Sequence, residues 1–328
     1  MRISVGKQTP VMALAALVVI AAAAYTRFGV APFDNEIYGA RVLPLTGEYL
    51  SAACKAFPVW SIVVSAVLTV AAGIVVGRMG VRFDLYPAQT FLSMPVFGII
   101  ACGIFISADT LAASVTALLA AMALRFLFRG YLRERDLASM LYSGLCIGSM
   151  LLVSTAGTVY LLAAMSALFV LSFSSRELLV LMTGIVLPVA ACCYGVWAFG
   201  GEFLLPVTRF VEALTADSGV RTFGDNAVAA LALCGLVMYT FVFAMLEFSS
   251  SRFRVSVKSR GILVYCAMVS VVSLLLLLLP SSTPADFAVA AVPMSLIIPI
   301  LFMQEGERMT GLLYMLLLAV YAVHLFSC

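Results

Sequence analysis

Charge is the scarcest feature of this sequence. Only 11% of its 328 residues are Asp, Glu, Lys or Arg, where a soluble domain carries about 25%. In their place stand 64% hydrophobic residues, with a mean hydropathy of +1.14. A soluble fold of this length must cover its surface with polar groups, so that class is excluded. Histidine is nearly absent too: His324 is the only one, and one imidazole without a Cys or carboxylate cluster builds no zinc centre. The eight cysteines show no C-x-x-C spacing, and most lie in apolar runs, where Cys acts as a small hydrophobe. No metal and no cofactor is expected, and nothing points to nucleic acid.

What remains is a chain built of apolar runs. They fall at 10–26, 57–77, 89–106, 110–128, 137–154, 157–174, 178–199, 226–246, 261–279, 287–303 and 311–327. A membrane-crossing helix needs about 20 residues, with a range of roughly 17 to 25. The expected architecture is therefore an all-α, polytopic helical bundle of about eleven spans, forming one membrane domain over residues 1–328. The Ser-Thr-Ala-Gly junction at 154–157 is so short that it predicts a helical hairpin.

The loops give the orientation. With the amino terminus inside and the path alternating, fourteen of the nineteen basic residues fall on the cytoplasmic side, as the positive-inside rule requires. The carboxy terminus then lies outside. Arg2 and Lys7 followed by an apolar run ending in Ala21–Ala24 also fit a signal peptide. Cleavage would leave ten spans with the same orientation, and the run is taken here as a retained helix.

The longest non-spanning segments are 27–56 and 200–225, both outside. Each holds a helical repeat: Leu45, Tyr49, Ala53 and Phe57 in the first, Val207, Phe210, Val211 and Leu214 in the second. Short helices lying in the membrane interface are expected there. Within the spans no Asp, Glu, Lys or His falls near a midplane. That lowers the case for a proton-coupled transporter, whose relays are built from such groups.

Two charged groups stand out. On the cytoplasmic side, Arg125, Arg129 and Arg133 recur at i, i+4, i+8 in "RFLFRGYLRERD" and form one basic stripe if helical. Such a stripe holds lipid headgroups or serves as a topology determinant. On the outside, "VAPFDNEIYGARVLP" places Asp34, Glu36, Tyr38 and Arg41 just past the first run. A carboxylate there can act as a general base toward a hydroxyl, and an arginine can hold a phosphate through two parallel bonds. Ordinary loop salt bridging is the competing reading.

The stretches "RFDLYPAQTFLSMPVFGII" and "ALRFLFRGYLRERD", the hairpin from "LYSGLCIGSM" to "LMTGIVLP", and "AVPMSLIIPILF" resemble an uncharacterised family of multi-pass bacterial inner-membrane proteins. The layout is also similar to small GT-C membrane glycosyltransferases. That resemblance implies a polyprenyl-phosphate-linked sugar as donor and Asp34 or Glu36 as the catalytic acid group of the first outer loop. Arg41 and Arg209, with Tyr38, would meet the lipid phosphate. An extended D-x-D constellation and a carboxy-terminal soluble domain are both missing. The alternatives are a non-catalytic subunit that assembles or anchors a cell-envelope complex with membrane-protein partners, and then a lipid or solute transporter.

Overall fold

The computed structural model describes residues 9–29, 43–87, 89–103, 111–133, 136–216, 227–249, 255–276, 284–303 and 308–327. Among the described residues the chain is all helix. In order these are α1 (Thr9–Gly29), α2 (Leu45–Ala56), α3 (Pro58–Arg82), α4 (Ser93–Gly103), α5 (Leu111–Leu132), α6 (Leu137–Val153) and α7 (Gly157–Val170). There follow α8 (Ser175–Ala198), α9 (Leu205–Thr215), α10 (Ala227–Ser249), α11 (Val257–Leu276), α12 (Pro284–Ile297), α13 (Pro299–Phe302) and α14 (Arg308–Ser327).

Every apolar run carries a helix, but they are not alike in length. Five described helical stretches are long and apolar enough to cross a membrane: Pro58–Arg82, Leu111–Leu132, Ser175–Ala198, Leu231–Ser249 and Val257–Leu275. Of the other six runs, two hold α1 and α14, of 21 and 20 residues, and the described apolar helices of the rest are shorter, such as Gly157–Ala167 and Asp286–Phe302. α4 and α12 lie inside the bundle, with Val96, Phe97 and Ile99 of α4 and all of 288–297 in α12 buried. A helix wrapped in protein can break short of the hydrocarbon boundary, because its free backbone groups find partners in neighbouring helices.

α12 shows how this works. Pro293 lacks the N–H that would bond the carbonyl of Val289, and the Tyr160 hydroxyl from α7 reaches that oxygen at 3.5 Å. At the other end Pro299 opens a new helical turn. There the Tyr86 hydroxyl donates to the Leu296 carbonyl at 2.7 Å.

The tightest contact is between α6 and α8. A Cβ on Gly184 would stand 2.6 Å from the Leu141 carbonyl, while Gly144 and Gly148 meet the carbonyls of Leu181 and Ile185. Gly144 and Gly148 are spaced four apart on one face, the small-x-x-x-small pattern that lets helices in lipid approach backbone to backbone. The expected hairpin also forms. Ser154 closes the turn, its side chain accepting from Ala156 N at 3.2 Å and its carbonyl from Gly157 N at 3.1 Å.

α1 belongs to the same core. Val19, Ile20 and Ala23 are buried, Gly98 of α4 admits Ile20 alongside, and the Tyr321 hydroxyl of α14 donates to the Val19 carbonyl at 2.8 Å.

Contacts between helix ends sort into two sets. In one, the start of α2 meets the end of α6, α2 touches α9, and the start of α7 meets the start of α12. In the other, Phe83 after α3 accepts from Ser259 of α11 at 3.0 Å and stacks edge-on with Phe128 of α5. Tyr131 of α5 meets Phe173 after α7, Arg260 of α11 lies over the ring of Phe248 of α10, and Phe302 packs on Tyr314. These are called below the α2 end and the arginine end.

Candidate functional sites at the two ends

The α2 end carries the two amphipathic helices expected from the sequence. α2 is seated by Thr46, whose hydroxyl donates to the Leu152 carbonyl, and by Gly47, which lies against the Val153 carbonyl. Its partner α9 spans Leu205–Thr215 and packs against α8, α2 and α6. α8 ends before it in a left-handed turn at Gly200, φ 83°, a conformation glycine adopts without a Cβ clash. Arg209 stands on α9, half-buried, 3.9 Å from Glu212 one turn on. Asp34, Glu36, Tyr38 and Arg41 lie outside the described residues. The chain that leaves them enters α2 at Leu45.

The arginine end changes the reading of the basic stripe. Arg125 and Arg129 share α5, but the helix ends at Leu132 and Arg133 lies just beyond it. Arg129 turns to Asp136, with Nε 3.3 Å from the carboxylate. Asp136 in turn caps α6, accepting from the Ser139 amide at 3.2 Å and the Ser139 hydroxyl at 2.8 Å. Hydrogen bonding by Ser139 is the main cause holding the Asp136 carboxyl below the usual carboxylate range, with Arg129 and Arg133 adding to it. So the middle residue of the stripe is taken up by a local carboxylate, while Arg133 is exposed and its amide still bonds the Arg129 carbonyl at 3.0 Å.

Arg125 instead looks across to α3. α3 packs along α5, and Phe83 beside Arg82 meets Phe128 of α5, which brings the ends carrying Arg78, Arg82 and Arg125 together. Arg78 and Arg82 are exposed, and Arg125 is half-buried. Sequence reasoning counted Arg78 and Arg82 toward topology but assigned them no site. Their i, i+4 spacing in "GRMGVR" was the available signal, but the packing of α3 on α5 that brings them to Arg125 is a tertiary fact. The turn after α3 fixes their position. Leu85 N bonds the Gly80 carbonyl at 3.1 Å around Asp84 in the left-handed region, φ 45°, a Schellman-type stop.

Among the described residues no group of three or more His, Cys, Asp or Glu comes together to hold a metal. Compared with protein-family models, curated proteins and solved structures, the chain finds no match.

Proposed function

We propose that the chain is a polytopic protein of the bacterial inner membrane that crosses eleven times with its amino terminus inside. We further propose that its outer end transfers a sugar from a polyprenyl-phosphate donor. One observation carries the second step: α2 and α9 touch at the same end of the bundle. The helix bearing Arg209 is thereby gathered with the helix that directly follows the Asp34–Arg41 segment.

In this reading Asp34 or Glu36 takes the proton of an acceptor hydroxyl. The hydroxyl oxygen then bonds to the anomeric carbon as the bond from that carbon to the lipid phosphate oxygen breaks, which inverts the stereochemistry. The departing phosphate is met by Arg41 and Tyr38, and by Arg209 on leaving its exposed partner Glu212. The test is to replace Asp34→Asn and Glu36→Gln separately and profile lipid-linked sugars and envelope glycans. Accumulated donor in either variant is the expected result; unchanged profiles in both, at normal protein levels, overturn the transfer reading.

A second reading is favoured by the filled middle of the bundle. α12 is buried from 288 to 297, and its Val289 and Leu296 carbonyls are met by tyrosines. A packed centre suits a non-catalytic subunit that anchors an envelope complex, a role equally consistent with the likeness to the uncharacterised inner-membrane family. Purification in mild detergent then brings down a stoichiometric membrane-protein partner.

A further inference from the structure

The exposed side of α3 is a continuous stripe. Trp60, Val63, Val64, Val67 and Ile74 are each more than two-fifths exposed, and the same face continues into Arg78, also exposed. The opposite face is small and buried, with Ser61, Ser65, Ala72, Gly73 and Gly77 against its neighbours. From Trp60 to Arg78 the helix rises about 27 Å at ~1.5 Å per residue. The hydrocarbon core of a bilayer is about 30 Å thick. The stripe thus has an indole at one boundary and a guanidinium at the other, the anchoring pattern of a lipid-facing helix.

At the guanidinium end the charge is concentrated. α3 packs along α5, and Phe83, next to Arg82, meets Phe128, three residues from Arg125, so Arg78 and Arg82 are gathered with Arg125 at this end. Among the described residues no carboxylate forms an ion pair with any of the three, since Asp136 pairs with Arg129 and Glu212 with Arg209. Like charges held together in this way raise one another's energy, and an anion between them removes that cost. Guanidinium groups bind phosphate oxygens in bidentate fashion. An aliphatic track leading straight to such a cluster matches a molecule with both a chain and an anionic head.

We propose that Arg78, Arg82 and Arg125 form a binding site for the phosphodiester headgroup of an anionic phospholipid, whose acyl chain lies along Val67 and Ile74 of α3. The site rests on the membrane reading alone. It takes nothing from Asp34 or Glu36, so failure of sugar transfer leaves it standing, and the reverse also holds.

The experiment is native mass spectrometry of the full-length protein in detergent, equilibrated with an equal mixture of phosphatidylglycerol and phosphatidylcholine. Wild type is expected to retain phosphatidylglycerol over phosphatidylcholine by up to roughly a hundredfold, given about a fivefold gain for each of three arginines near an anionic surface. The triple variant Arg78→Gln, Arg82→Gln, Arg125→Gln loses that preference. Lys55→Gln, on α2 at the opposite end, keeps it. The triple Arg→Lys variant keeps the charge but loses the bidentate fork, and falls between. Equal retention of the two lipids by wild type, a measurement that needs no variant to fold, overturns the proposal and leaves the arginines as topology determinants only. Undiminished preference in the triple Gln variant overturns it as well. Displacement of the lipid by inorganic phosphate assigns the cluster to a free anion and overturns the lipid.

Discussion

The Tyr86 hydroxyl donates to the Leu296 carbonyl at 2.7 Å, across 210 positions of sequence and in full burial. Leu296 lies in the last turn of α12, where carbonyls have no partner of their own helix. In hydrocarbon or in a packed core such a group is costly if left unmet. The tyrosine therefore closes the central helix at the point where Pro299 interrupts it.

Removing that hydroxyl leaves a buried acceptor bare. Tyr86→Phe is expected to destabilise the protein by about 1–3 kcal/mol. Tyr160→Phe, whose bond to Val289 is 3.5 Å long, is expected to cost less, under about 1 kcal/mol. Thermal unfolding of the two variants in one detergent checks the ranking. Equal or reversed losses contradict this account of α12.

The α6–α8 crossing makes a sharper contrast. Gly148 leaves no room for a Cβ beside the Ile185 carbonyl, whereas Gly195, on the same α8, has open space within 4 Å of its Cβ position. Gly148→Ala is expected to cost roughly 1–3 kcal/mol through forced separation of the two backbones. Gly195→Ala is expected to be neutral or to stabilise by up to about 1 kcal/mol, from helix propensity alone. Paired unfolding curves decide it, and a tolerated Gly148→Ala rejects the backbone contact.

These two elements also mark what can be read in a sequence of this kind. All eleven apolar runs become helices, and the repeats at Leu45–Phe57 and Val207–Leu214 become α2 and α9. Both follow from hydropathy and 3.6-residue periodicity, which are local properties. Hydropathy does not distinguish a helix facing lipid from one facing protein. Hence α4 and α12 read as ordinary spans, although their described residues are largely buried in protein. The arginines fared similarly. The row Arg125, Arg129, Arg133 is legible by spacing, but the pairing of its middle member with Asp136 is not. The grouping of Arg125 with Arg78 and Arg82 depends on which helices are neighbours, and spacing within one helix carries no such information. The Asp34, Glu36, Tyr38 and Arg41 group was found by composition alone and lies outside the described residues.

Asp136 yields a prediction about pH. Its carboxyl is held low when folded, chiefly by Ser139, so the stabilisation is complete above its unfolded value of about 3.9. It is lost as pH falls through the lowered folded value. Asp136→Ala removes the cap and is expected to cost about 1 kcal/mol at pH 7. Near pH 2 the difference between wild type and variant should shrink. A gap that stays constant down to that pH means the charge is irrelevant to the cap.

The sorting of helix-end contacts makes the alternating path testable at two points. Gly201 follows α8 and leads to α9, on the end where α2 docks. Ser256 precedes α11, whose Ser259 bonds Phe83 at the arginine end. On the proposed path the first is outside and the second inside; between them lie the short helix α9, read as interfacial, and α10, read as the crossing. Alkaline phosphatase, which folds only in an oxidising compartment, should be active when fused after Gly201 and inactive when fused after Ser256. Equal activity at both points would mean that α10 does not cross, and the proposed count of eleven would fall. Activity only at Ser256 would keep the count but invert the protein, placing Arg78, Arg82 and Arg125 outside against the positive-inside rule.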